Sequence, residues 1–146
     1  MKVIITDGGR KAAGFAKEAK GGCVARAVAI ASGRPYREVH ARLAAGRGNQ
    51  RATPRTGRQE ATADHGVHVQ RKWFKDYMAE LGFVWVATMG IGTGCKVHMR
   101  RNELPPGRLI VSLSKHYSAV IDGVCFDTYD PTRGGTRCVY GYYRKA

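Results

Sequence analysis

Residues Cys23–Ser32 read CVARAVAIAS, with Arg26 as the lone charge. Val24, Ala27, Val28 and Ala31 fall at i, i+3, i+4 and i+7, which is one stripe of an α-helix. Ala25, Ala29 and Ile30 carry the apolar surface around most of the circumference. A helix this apolar has to be covered nearly all round, so it is expected at the centre of the fold with the other elements built about it. Gly21-Gly22 stand before it, and Gly33 stands where a left-handed C-terminal cap belongs.

The flanking sequence supplies that cover. A second helix is expected over 35–45, where proline suits the first turn and Tyr36, Val39 and Leu43 make an apolar edge. Residues 46–66 have no periodicity and place Arg47, Arg51, Arg55 and Arg58 among Gly, Thr, Asn and Gln; this stretch reads as a basic, mobile surface loop. A third helix is expected over 69–81, carrying Trp73, Phe74, Tyr77 and Leu81, with Gly82 as its stop. The period then changes. Residues 83–88, 108–113, 117–121, 124–128 and 137–143 read as strands, and Val3-Ile4-Ile5-Thr6 is a short strand-like run at the start. Helices first and an antiparallel sheet afterwards mean an α+β fold. No repeat or linker divides it, so residues 1–146 are read as one domain, long enough to bury its own core. Trp73 and Trp85 are assigned to that core and His40 to the surface or edge of its helix. Tyr140, Tyr142 and Tyr143 are assigned to sheet packing.

Charge and cysteines narrow the function classes. Lys and Arg number 25 against 11 Asp and Glu, a net charge of +14. Such a surface attracts polyanions, but the basic residues are scattered and form no nucleic-acid motif, so the expected affinity is nonspecific. No window reaches the roughly 20 apolar residues of a membrane span. The first residues lack a basic leader, a long apolar run and a small-residue cleavage site, and the expected compartment is the cytoplasm. The four cysteines, Cys23, Cys95, Cys125 and Cys138, are accordingly expected as thiols, a Cys125–Cys138 bridge being disfavoured. Cys95 and His98 have a C-x-x-H spacing without a second ligand pair. His65 and His68 flank Gly66 and Val67, and His98 reads as solvated. Neither a metal nor an organic cofactor is expected.

Two stretches carry chemistry. Cys23 opens the central helix, where unpaired N–H groups and positive partial charge favour thiolate over thiol and can face a developing oxyanion. Far along the chain, Lys115-His116-Tyr117 begins a strand that ends in Asp122-Gly123, the dipeptide of a two-residue hairpin turn. Counting outward from that turn, Ile121 pairs with Val124, Val120 with Cys125, Ser118 with Asp127 and His116 with Tyr129. His116 and Asp127 then share a face as diagonal neighbours, and a carboxylate there can hold the imidazole in the tautomer needed to take a proton. A register slip of one residue would offer Asp130 instead.

A cysteine at the start of a central helix, a histidine opening a strand and an aspartate on the next strand resemble the papain-like cysteine peptidase superfamily. The texture of GGCVARAVAIASG and KHYSAVIDGVCFDTYDP is closest to bacteriocin-processing peptidases and related small bacterial and phage proteins. The resemblance spans the helix and the C-terminal sheet, about half the chain. It implies a papain-like fold in which Cys23 is the nucleophile, His116 the general base and acid, and Asp127, or Asp130 of the Asp-Pro pair, the orienting group. These peptidases place a glutamine before the cysteine as an oxyanion donor. Here that stretch is Phe15-Ala16-Lys17-Glu18-Ala19-Lys20, which leaves Lys17 or Lys20 as substitutes. The implied function is hydrolysis, or transfer to an amine, at an amide, peptide, isopeptide or thioester bond of a protein or peptide substrate. The alternative is a papain-like binding protein of little catalytic power that contacts nucleic acid or a host protein through its basic surface.

Overall fold

The chain is described by a computed structural model over residues 1–16, 22–49, 67, 69–90 and 92–146. Among these residues the fold is α+β, with three α-helices and a six-stranded mixed sheet. The helices are α1 (Cys23–Ser32), α2 (Tyr36–Asn49) and α3 (Lys72–Glu80). The strands are β1 (Lys2–Ile5), β2 (Phe83–Ala87), β3 (Arg108–Leu113), β4 (His116–Ile121), β5 (Val124–Asp127) and β6 (Gly141–Lys145). Their order across the sheet is β1-β5-β4-β3-β6-β2.

The central helix forms as the apolar pattern demands. Val24, Ala25, Ala27, Val28, Ala29 and Ala31 are all buried, and α1 lies along β4. Gly33 closes the helix in the left-handed conformation (φ 73°), and its N–H bonds the Ala29 carbonyl. Leu43 and Val39 of α2 and Phe74 and Met78 of α3 complete the core on this face of the sheet.

The opposite face is packed differently. Leu109, Val111, Leu113, Val120 and Cys125 meet Met99, Leu104 and Val139 from irregular segments. A disulfide between Cys95 and Cys138 ties those segments together. The expectation of four free thiols is therefore corrected, and the pair that forms is not Cys125–Cys138. Cys125 is buried on β5, while Met99 N–H to Arg137 O and Val139 N–H to Val97 O carry Cys95 and Cys138 to neighbouring places.

Three further expectations change. The sheet is mixed, because β1 joins its edge parallel to β5, with Lys2 opposite Val124 and Ile5 opposite Asp127. Helix α2 runs past 45 to Asn49. Gly46 lets it do so by tertiary packing: a Cβ there would lie 2.3 Å from the Trp73 ring, so a ring on α3 presses where a side chain would stand. The last strand begins at Gly141 and not at 137, the preceding residues being spent on the bridge between Cys138 and His98. The remainder of the expected basic loop, with Arg51, Arg55 and Arg58, lies outside the described residues, as do His65 and His68.

Individual side chains also move. His40 is buried, 4.3 Å from the Phe15 ring centroid. His98 is half-buried and meets Glu103 Oε1 at 3.2 Å. Trp85 is exposed on the sheet edge. No helix among the described residues is long and apolar enough to cross a membrane.

Candidate active site

The first turn of α1 and the first residues of β4 meet at one end of the sheet. Cys23 is the first residue of α1, so the N–H groups of that turn have no partner within the helix. His116 and the backbone N–H of Tyr117 lie close enough to the Cys23 sulfur to act on its ionisation. His116 is placed by a two-residue turn, Ser114-Lys115, which joins the pair Leu113 and His116. Lys115 takes a left-handed conformation there (φ 54°), and Arg137 Nη2 donates to the Ser114 carbonyl at 2.6 Å, pinning the turn.

On the other side of the ring, His116 Nε2 lies 2.7 Å from Asp127 Oδ2. That bond occupies Nε2 and leaves Nδ1 as the nitrogen for Cys23. The hairpin between β4 and β5 has the expected register, Ile121 opposite Val124 and Val120 opposite Cys125. Its turn has Asp122 and Gly123 at φ 48° and 79°, the signs required of a type I′ connection. Tyr129 lies over the imidazole with ring centroids 5.2 Å apart.

Asp127 is fully buried, and its two oxygens are saturated with donors. Oδ2 accepts from His116 Nε2 and from the Ser118 hydroxyl, both at 2.7 Å. Oδ1 accepts from Arg26 Nη2 at 3.0 Å and from the Thr128 N–H at 2.7 Å. A buried carboxylate is tolerated only when its charge and lone pairs are answered in this way.

The electrostatics follow from these contacts. Burial pushes the Cys23 thiol up, but the His116 hydrogen bond, the Tyr117 N–H and the charges of His116 and Arg26 outweigh it, and the thiol sits below its ordinary value. Burial pushes His116 down, but the hydrogen bonds and charges of Asp127 and Cys23 reverse this and raise it to about 8. Burial likewise opposes ionisation of Asp127, and the bonds from His116 and Ser118, with the charges of His116 and Arg26, hold it below the usual carboxylate range. Cys125 makes the contrast: burial raises it to about 11 even though Ser118 is 3.3 Å from its sulfur. The arrangement thus supports a thiolate and an imidazolium side by side, with a fixed anion behind the ring.

The fold brings Cys23, His116 and Asp127 together and leaves Asp130 apart. The Asp130 carboxylate is exposed and accepts from the Thr132 N–H at 2.9 Å and its hydroxyl at 2.6 Å, the bonding of a turn residue. Lys17 and Lys20 lie outside the described residues. The Cys23 N–H remains as a donor near the sulfur. Two members of the cluster had been given no role in the sequence reading, Arg26 and Ser118. The signals for both were in the spacing. Arg26 is three residues past Cys23, on the same helix face, and Ser118 alternates with His116 on one strand face.

No protein-family model, curated protein or solved structure matches the chain.

Proposed function

We propose that Cys23, His116 and Asp127 act as a papain-like catalytic triad for acyl transfer at an amide or peptide bond, isopeptide and thioester bonds being the close variants. The observation that carries this reading is the placement of one imidazole between the thiol of a helix N-terminus and a saturated, buried carboxylate. The opposite displacements of Cys23 and His116 support it, since an ion pair of this kind is what a cysteine nucleophile needs at neutral pH.

The steps follow from the geometry. The Cys23 thiolate attacks the carbonyl carbon, forming a C–S bond as the C=O π pair moves onto oxygen. The Cys23 N–H, at the positive end of α1, donates to that oxygen. The His116 imidazolium gives its Nδ1 proton to the leaving amine as the C–N bond breaks, which yields a thioester and a neutral imidazole. Neutral His116 then takes a proton from water; the resulting C–O bond displaces the thiolate and releases the acid. An amine in place of water completes transfer instead of hydrolysis. Asp127 keeps its charge throughout, because every lone-pair direction is already occupied by a donor.

Alkylation by iodoacetamide at pH 6 tests the reading. Cys23 is expected to react far faster than Cys125, whose thiol stays protonated there. Mass spectrometry of tryptic peptides reads the two rates. Equal rates in the folded protein would defeat the proposal.

A further inference from the structure

A cavity of about 310 Å³ lies between the helix face of the sheet and α3, and Tyr117, the residue after His116, is part of its lining. Phe83, Trp85, Tyr117 and Tyr143 form its aromatic lining, and Lys75 and Gln70 stand on the helix side. Tyr117 belongs to both places. It lines the cavity, and it and Cys23 act on one another's ionisation, the Tyr117 N–H on the thiol and the Cys23 charge on the phenol. A group seated against Tyr117 is therefore attached only a short distance from the reacting carbonyl.

The sheet is shaped to leave this space. Trp85 and Tyr143 are cross-strand partners with ring centroids 5.0 Å apart. Two residues before Tyr143, on the same face of β6, stands Gly141, where a Cβ would lie 2.4 Å from the Trp85 ring. The indole lies across bare backbone at that point and is 43% exposed, so its face is open to a second ring. Among the described residues the lining contains one ammonium and one amide, and no carboxylate.

We infer that this cavity is the selectivity pocket of the acyl-transfer site, and that it takes a substrate segment pairing a large aromatic side chain with a neighbouring carboxylate. The inference rests on the proposed function for the reaction but not for the binding. The aromatic ring stacks on Trp85 and Tyr143, where offset or edge contacts add to apolar burial. Lys75 at the rim answers the carboxylate, in keeping with the net charge of +14.

Binding and chemistry are tested apart. In a Cys23→Ala variant, the Trp85 indole N–H resonance, assigned through Trp85→Phe, is followed by NMR on titration with acetyl-Asp-Phe-amide and acetyl-Asp-Ala-amide. The first is expected to shift it and the second to leave it in place. In the wild-type protein, acyloxymethyl ketones carrying Asp-Phe, Lys-Phe or Asp-Ala are compared for Cys23 labelling, each rate divided by that of iodoacetamide. The Asp-Phe probe is expected to exceed Asp-Ala by at least about tenfold. Its advantage over Lys-Phe is expected to invert in Lys75→Glu, and Trp85→Ala is expected to erase the aromatic preference, each variant's rates again being divided by its own iodoacetamide rate. An unmoved Trp85 resonance, or equal rates for the Phe and Ala probes, overturns the pocket. Slow alkylation by iodoacetamide alongside a normal titration would instead defeat the triad and leave the pocket standing.

Discussion

Arg26 and Asp127, separated by 101 residues, are joined by a 3.0 Å ion pair that locks the cysteine-bearing helix to the strand behind His116. The guanidinium is 14% exposed and the carboxylate not at all. Its charge acts on Cys23 as well as on Asp127. Removing that charge makes the thiolate less favourable and the imidazolium more so. Arg26→Met is therefore expected to move both limbs of the kcat/KM profile to higher pH together, by less than about one unit each. Arg26→Lys should restore part of the shift. A purely structural role would lower the rate and leave both limbs where they were.

The reactive state requires Cys23 without its proton and His116 with one. Turnover of a peptide substrate is expected to rise with pH as Cys23 ionises, below the ordinary thiol value of 9.0, and to fall as His116 loses its proton near 8. Alkylation by iodoacetamide needs no proton donor and should not fall above that pH. Parallel profiles for the two reactions would remove His116 as the acid.

Asp127→Asn separates orientation from stability. The amide cannot answer Arg26, so loss of the buried partner is expected to cost about 3–5 kcal/mol in urea unfolding. The reaction rate should fall by about 10²–10⁴-fold as the imidazole loses its fixed tautomer. In the double variant with Arg26→Met, the orphaned charge is gone, so stability should recover substantially while the rate stays low. Recovery of both would mean that Asp127 serves the fold alone.

The Cys95–Cys138 disulfide closes a separation of 43 residues and holds the packing on the face of the sheet away from α1. Cys138→Ser is expected to lower stability by about 2–4 kcal/mol. Dithiothreitol should do the same to the wild type and add nothing to the variant. The iodoacetamide rate at Cys23 should change little, since the link from this segment to the start of β4, Arg137 to the Ser114 carbonyl, does not involve the disulfide itself.

The sequence determined what local rules can reach. The apolar CVARAVAIAS run could only be a covered helix, and Asp122-Gly123 set the hairpin register that puts Ser118 and Asp127 on the same face as His116. Tertiary structure decided the rest, because each remaining feature joins residues whose spacing along the chain carries no periodic signal. The parallel pairing of β1 with β5, the choice of Cys95 for Cys138 and the extension of α2 beneath Trp73 are all of this kind. So is the closure of Arg26 onto Asp127. A burial pattern names the face a residue takes, but the partner across that face is chosen by how whole elements pack.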